Sequence, residues 1–377
     1  MMKFSINRNA FMNELSIIQR AISSKTTIPI LTGVKIVLSE EGLSLTGSNG
    51  DISIETFLSH EDEKAEMVIE QTGAIVLQAR FLGEIIRKLP DTRFSFDLQE
   101  NNQIHLTSGA ADFMINGLDA DQYPHLPAID EAEQLKLPVR VLNKLINETV
   151  FAVSAHESRP ILTGVHLTIH PEELKAVATD SHRLAQRKIP LGGMAKELDM
   201  VIPGKSLIEL SRSFTDEEEE VEVSVMENQV LFKTDSMHFY SRLLEGKYPD
   251  TDRLIPNEFN TEISFDVPAL LAAIERASLF SHEGRNNIVK LVISADDVTL
   301  YGNSPEVGNV QEQLVFQEVS GDPLEISFNP DYMKAALKAF GDTAITIKFI
   351  SPLRPFTLEP KDSDISFVQL ITPVRTS

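Results

Sequence analysis

The segment Thr179-Asp180-Ser181-His182-Arg183-Leu184 sets a carboxylate, a hydroxyl and an imidazole side by side. A nucleophile, its base and the group that orients the base are normally brought together from separate segments, so that each can point at the next. Three neighbours in one turn cannot make that relay, and the segment is read as a structural or recognition loop. A hydrolase or transferase built on it stays open as a second reading, whose mark would be a loss of turnover of about 100-fold or more on His182→Ala. Gly204-Lys205-Ser206 resembles the end of a phosphate-binding loop, but the position five residues before Gly204, where that loop needs glycine, is Asp199. Gly47-Ser48-Asn49-Gly50 lacks the order of a nucleophile elbow and reads as a turn. The His residues are read as carrying neither a His-x-x-x-His nor a His-Glu-x-x-His spacing, so no metal is expected. Asp119 with Asp121, and Asp250 with Asp252, flank Tyr-Pro pairs and read as turn residues rather than hard-cation ligands. No nucleophile, base and oxyanion donor assemble anywhere, so a binding or structural role without catalytic residues or cofactors is expected.

Composition narrows the classes further. The chain has 377 residues, 42% of them hydrophobic, enough for two or three domains with sizeable cores. It contains no Cys, which excludes disulfides, thiolate metal sites and Cys nucleophiles. No run is long and apolar enough to span a membrane, and the N-terminal residues do not read as a leader. A cytoplasmic location is expected, and the sequon Asn147-Glu148-Thr149 is expected to be silent. The formal net charge of −22 argues, as a bulk quantity, against nucleic acid or an anionic membrane as partner.

The elements that must position any site are betrayed by repetition. Ile30-Leu31-Thr32-Gly33-Val34 recurs unchanged as Ile161-Leu162-Thr163-Gly164-Val165, an offset of 131, and Val165, Leu167, Ile169 and Leu174 fall on Val289, Leu291, Ile293 and Val298 a further 124 residues on. Leu82, Ile85 and Leu89 fall on Leu207, Leu210 and Phe214 at an offset of 125, and Phe214 falls on Phe340 at 126. Tyr123-Pro124 and Tyr248-Pro249 close the first two units. Units of about 126 residues are domains rather than solenoid repeats. Three similar domains are expected, over 1–126, 127–252 and 253–377. Each opens with a short strand (Lys3–Ile6; Lys136–Val139; Glu262–Phe265). A helix follows, of about four turns in the first unit on the spacing Phe11, Leu15, Ile18, Ile22, and begun in the third by Pro268 ahead of Leu270, Ile274 and Ala277. Alternating strands come next, and a second helix covers Phe81–Lys88, Ser206–Ser213 or Tyr332–Ala339. Phe4, Phe11, Leu15 and Ile18 also map onto Ile75, Leu82, Ile86 and Leu89 at an offset of 71, which hints at a half-domain repeat. The acidic run Asp216–Glu220 reads as a solvated turn.

Charge is not spread evenly over these elements. The six helical segments, 7–25, 80–93, 138–159, 204–214, 266–285 and 330–340, together come to +6, and the remainder of the chain to −28. Should the helices share a surface, that surface is mildly basic, and the local field decides what a polyanion feels there.

Taken together, the three units resemble the bacterial DNA sliding clamps, the beta subunits of DNA polymerase III. The resemblance covers the full length. It is carried by Pro29-Ile30-Leu31, by Arg159-Pro160-Ile161-Leu162-Thr163-Gly164-Val165, by Ala178-Thr179-Asp180-Ser181-His182-Arg183-Leu184-Ala185, by Tyr248-Pro249-Asp250 and by Pro373-Val374-Arg375. It implies an α+β DNA-clamp fold of three similar domains, each with two helices packed on antiparallel sheets. Two chains would close head to tail into a ring around duplex DNA, touching it without reading sequence.

The resemblance also implies sites. Lys25, Arg80, Arg87, Lys205 and Arg212 would face DNA, Lys25 standing where relatives often carry Arg. Glu157 replaces an uncharged polar residue of some relatives. A groove for short partner peptides would use Leu162, Thr179, Ser181, His182, Arg183, Leu184, Pro249, Arg253, Leu254, Tyr332, Pro355, Leu370, Thr372 and Val374. Of these, Thr372 often stands as Met or Leu in relatives, and Pro355 can be Ser. Phe113 and Ile115 of one chain would meet Leu279 and Phe280 of the other. The implied partners are double-stranded DNA, a second copy of the chain, the polymerase alpha subunit, the clamp loader delta subunit, and other polymerases and repair proteins. A repeat scaffold that holds no DNA is the third reading.

Overall fold

Asn7 ends the first strand, Lys3–Asn7, and starts the first helix: its side-chain oxygen accepts from the amides of Asn9 and Ala10 at 2.9 and 3.3 Å. A computed structural model of the chain describes residues 2–126, 134–192, 197–226, 228–283, 287–361 and 364–375. Its helices are α1 (Arg8–Ile18), α2 (Ala79–Arg87), α3 (Val139–Thr149), α4 (Gly204–Ser213), α5 (Val267–Glu283) and α6 (Pro330–Phe340). The expected boundary near 126 adjoins residues outside those described, and so does Arg285 of the fifth charged segment.

The repeat recurs in hydrogen bonding. The first amide of α1, of α3 and of α5 each donates to a carbonyl just after the next helix: Arg8 to Thr92 at 2.7 Å, Val139 to Glu219 at 2.9 Å and Val267 to Thr343 at 2.9 Å. Asp216–Glu220 is therefore more than a solvated turn. Its Glu217 and Glu219 carbonyls satisfy the first amides of α3, and Glu218 pairs with Arg140 at 2.7 Å. Phe11, Leu15 and Ile18 are buried, as their spacing requires, but α1 is shorter than expected. It tightens into a 3-10 turn over Gln19–Ala21, where the Gln19 side chain reaches the Ala79 carbonyl at 2.9 Å, and Ile22 lies beyond in extended backbone. The half-domain match is between two strands that run straight into helices, Lys3–Asn7 into α1 and Gly73–Gln78 into α2.

Contact density divides the chain into one unit of Met1–Leu142 with Lys205–Leu243, and another of Asn143–Gly204 with Leu244–Ser377. That division does not follow the repeat, because backbone pairing joins segments from successive repeats. In the first unit an eight-stranded antiparallel sheet pairs Met237–Arg242 with Ile52–Ser59, Phe239 opposite Ile54. A five-stranded sheet ends at the edge strand Ala111–Asn116. In the second unit a nine-stranded sheet pairs Arg183–Pro190 with Phe367–Ile371, Leu184 opposite Leu370. A four-stranded sheet there ends at the edge strand Gly308–Gln313. Each unit folds about its own apolar core, the second around residues such as Phe265, Ile274, Leu300 and Phe349. Among the described residues no helix is long and apolar enough to cross a membrane.

The repeated Ile-Leu-Thr-Gly-Val motif has a local cause. In both copies Pro-Ile-Leu-Thr makes a 3-10 turn, and the Thr hydroxyl donates back to the Pro carbonyl, at 2.8 Å for Thr32 and 2.7 Å for Thr163. The Leu is buried, and the Gly opens a strand pressed against its neighbour. A Cβ on Gly164 would lie 2.6 Å from Val201 Cγ1 and 2.8 Å from the Ile202 carbonyl oxygen. Gly164→Ala is therefore expected to cost about 1–3 kcal/mol in urea unfolding. Gly192→Ala, where nothing lies within 4 Å, serves as the control. Equal midpoints for the two variants would show that the close approach is not what selects glycine.

Candidate functional site

Tyr248 organises the loop that the sequence singles out. It is 7% exposed, and its phenol oxygen accepts from the Thr179 amide at 3.1 Å. Burial pushes the phenol far above the ordinary tyrosine range, the Thr179 amide opposing it in part. The ring stacks on His166 at 4.8 Å between centroids, and His166 Nε2 lies 2.8 Å from an Asp199 carboxylate oxygen. His166 and His170 do stand in a His-x-x-x-His spacing, which corrects the expectation that none is present. They lie on the strand Gly164–His170, each beside its own carboxylate, His170 3.9 Å from Glu197.

Beyond Thr179 the chain turns sharply. Thr179 Oγ1 donates to the Arg183 carbonyl at 2.6 Å and accepts from the Ser181 amide at 3.2 Å. Ser181 sits at φ 79°, a left-handed conformation that side chains adopt at a cost. The Asp180 carboxylate accepts from the His182 amide at 2.9 Å, the Arg183 amide at 3.0 Å and Arg183 Nε at 3.1 Å. Asp180 is thus occupied in holding the turn, and no hydrogen bond joins the His182 ring to Ser181 or Asp180 among the described residues. A relay through Asp180, Ser181 and His182 is not present.

What the turn presents is a cluster of cationic and aromatic side chains. The Arg183 guanidinium lies 4.8 Å from the Tyr332 ring centroid and 5.6 Å from that of Phe151, a residue the sequence reading did not name. The His182 ring stacks on Tyr332 at 6.3 Å, the two planes 15° apart. The His182 carbonyl accepts from both the amide and the hydroxyl of Thr372 at 2.9 Å. The Val374 amide donates to the Ser327 carbonyl at 2.7 Å. Beneath, Leu162, Leu184 and Leu370 pack with Val177, Val201 and Tyr248 in one buried cluster. These leucines are floor rather than open wall, only 2–5% exposed. Leu254 is 51% exposed, beside Arg253, which pairs with Asp250 at 2.9 Å. Asp252 is tied to Lys175 at 2.9 Å, so both Asp residues of this turn have cation partners. Pro249 is exposed, and Pro355 is half-buried next to the fully buried Phe356.

The basic residues named for DNA all lie in the first unit and are exposed. Arg80 leans on Glu84 at 3.3 Å and Arg212 on Glu209 at 3.3 Å, while Arg20 approaches the same Glu209 at 3.7 Å. Lys25, Arg87 and Lys205 have no ion-pair partner among the described residues. On α5 and α6 the charges are paired, Lys334 with Asp331, Lys338 with Glu275 and Arg276 with Glu312. Gly204-Lys205-Ser206 opens α4 without a phosphate cradle: a Cβ on Gly204 would meet Val153 at 3.0 Å, and Ser206 is buried. Of the residues named for a subunit joint, Leu279 is 67% exposed, and Phe113 and Phe280 are half-buried. Ile115 is already 6% exposed within its own unit.

Three family models tile the chain. The N-terminal domain of the DNA polymerase III beta subunit matches residues 2–127, the central domain 136–250 and the C-terminal domain 252–375. The beta sliding clamp of Streptococcus pneumoniae (strain ATCC BAA-255 / R6) is 50% identical over 378 residues, with 100% of both chains covered. That of Bacillus subtilis (strain 168) is 48% identical over 379 residues, again with 100% of both covered. The crystal structure of the DNA polymerase III beta chain from Streptococcus pneumoniae TIGR4 superposes with a TM-score of 0.97 at 50% identity, covering 100% of each chain.

The turn gives a direct expectation. Asp180→Asn keeps an oxygen for the two amides, whereas Asp180→Ala leaves three donors without their acceptor and costs about 1–3 kcal/mol. Urea midpoints should fall further for Ala than for Asn, and equal falls would show that the amide bonds contribute nothing.

Proposed function

The chain belongs to the family of bacterial DNA polymerase III beta subunits, the sliding clamps, and from that membership we propose in detail how it works. It is a non-catalytic processivity factor: it keeps a DNA polymerase on its template and performs no reaction of its own. The observation that carries this is the match of three clamp domains along the chain, with relatives 50% identical over its full length.

The finer reading runs as follows. Two copies close head to tail, the exposed Leu279 and the half-buried Phe280 of one meeting the edge strand that carries Phe113 and Ile115 of the other. Three domains per copy, divided near 126 and 252, line a hole that takes duplex DNA. Lys25, Arg87 and Lys205 supply unpaired cations, and Arg80 and Arg212 share theirs with Glu84 and Glu209. Few free cations make weak, salt-sensitive phosphate contacts, which suits sliding better than tight holding. The surface of His182, Arg183, Tyr332, Thr372, Val374 and Leu254 over the buried leucine floor receives short segments of the polymerase alpha subunit, the clamp loader delta subunit and repair proteins, in the cytoplasm.

Two measurements test this. Loaded protein should remain on nicked circular DNA and be lost from the same DNA once linearised, and equal retention on both would exclude topological holding. Leu254→Ala removes an exposed apolar contact and should weaken a fluorescent alpha-subunit peptide about 5- to 30-fold, the equivalent of about 1–2 kcal/mol. The same variant should leave dimer mass unchanged, and unchanged peptide affinity would remove Leu254 from the groove.

A further inference from the structure

Asp331, in the first turn of α6, collects more polar partners than any role named so far requires. Its amide is capped by Asn329 Oδ1 at 2.8 Å. Its carboxylate accepts from Asn287 Nδ2 at 2.6 Å and Lys334 Nζ at 2.7 Å, and His282 Nε2 lies 3.0 and 3.2 Å from its two oxygens. Burial works against the charge, but the hydrogen bonds from Lys334, Asn287 and His282 outweigh it and hold the carboxyl below its usual range. Lys334 also reaches Ser278 Oγ at 3.3 Å, so α5 is bound to the start of α6 through Ser278 and through His282.

Each side of this hub leads to a different surface. His282 stands one helical turn beyond Leu279, the most exposed large apolar side chain of α5. Tyr332 follows Asp331 directly and carries the Arg183 guanidinium and the His182 ring. Asn287 bridges the two. It is held at φ 39° while its side chain accepts from Ser281 Oγ at 3.0 Å and donates to Asp331. A non-glycine residue in that conformation costs about 1 kcal/mol or more and persists only while its surroundings hold it there.

We infer that Asp331 is a positioning residue that couples the peptide surface at Tyr332 to the exposed end of α5, so that filling one strengthens docking at the other. This rests on the reading of both surfaces given above. A peptide packed on Tyr332 orders the first turn of α6, and a second copy packed on Leu279 orders the last turn of α5. The carboxylate makes these one ordering cost, so the second binder meets less of it. The coupling must then be reciprocal, each binder tightening the other by the same factor.

The test uses the full-length chain and a fluorescein-labelled peptide copied from the clamp-binding segment of the polymerase alpha subunit. The dimer dissociation constant is measured by dilution with and without saturating peptide. For the unchanged chain we expect peptide to tighten the dimer about fivefold or more. Asp331→Asn and His282→Gln should each still dimerise and still bind peptide, with the peptide-induced factor reduced to one. A melting curve checks that both variants fold, and His282 is exposed enough for its replacement to spare the core. Persistence of the coupling in both variants, or its absence from the unchanged chain, overturns the inference. An unchanged chain that neither dimerises nor binds the peptide overturns the functional reading itself.

Discussion

The antiparallel pairing of Arg183–Pro190 with Phe367–Ile371 is the constraint from which the arrangement around Tyr332 follows. It sets Leu184 opposite Leu370, and so fixes two of the three leucines of the floor. It also brings the His182 carbonyl against Thr372, and so fixes which face of the turn looks outward. A slip of one residue would send the leucines to the opposite face and turn Arg183 away from Tyr332. The same pairing buries main-chain groups that would otherwise form a bare sheet edge. The first unit solves the same problem with Met237–Arg242 against Ile52–Ser59.

Pairing of charges decides which of the basic residues can act on a distant phosphate. A cation already held by a carboxylate at 3 Å offers little net field, and a contact through it requires a bond to be exchanged. On α5 and α6 the Lys and Arg that add to the local count are held in this way. Lys25 in the turn beyond α1, Arg87 on α2 and Lys205 on α4 are not. A DNA partner is compatible with the bulk charge of −22 through the local field of these unpaired cations, since the internal ion pairs use one cation for each acid and leave that charge unchanged. Glu218 on Arg140 and Asp252 on Lys175 are of this kind.

Much of the fold is legible in the sequence because side-chain spacing encodes it. Phe11, Leu15 and Ile18, or Leu270, Ile274 and Ala277, mark a buried helix face, and the repeated Ile-Leu-Thr-Gly marks a turn and a close strand approach. Backbone pairing between successive repeats leaves no such trace, since any two strands of suitable length can exchange amide hydrogen bonds. The division into two contact units is therefore absent from the sequence pattern. For the same reason the acidic run after α4 reads as a solvated turn, although its carbonyls cap α3. In the site, the residues Leu162, Leu184 and Leu370 are recognisable as apolar, but only packing shows them to be floor. Phe151 and the phenol of Tyr248 are missed because their roles lie in contacts with residues far along the chain.

The repeat itself explains what sets the turn at Asp180 apart from its counterpart in the first unit. At the offset of 131, Asn49 stands where Asp180 stands, and its side-chain oxygen accepts from the amides of Asp51 and Ile52 at 2.9 and 3.0 Å. These are the bonds that Asp180 makes to His182 and Arg183. Ser48 Oγ accepts from Gly50 at 3.2 Å just as Thr179 Oγ1 accepts from Ser181 at 3.2 Å, and both Gly50 and Ser181 have positive φ. The turn is thus a property of the scaffold, and an amide suffices to close it. What Asp180 adds is a second, charged oxygen, which takes Arg183 Nε where the first unit has the aliphatic Ile52. That oxygen holds a guanidinium over two aromatic rings, and Ser181 accepts the backbone conformation that Gly50 adopts without strain. One carboxylate in place of one amide, with an arginine three residues on, sets a guanidinium and two aromatic rings together at a turn that otherwise only closes the strand.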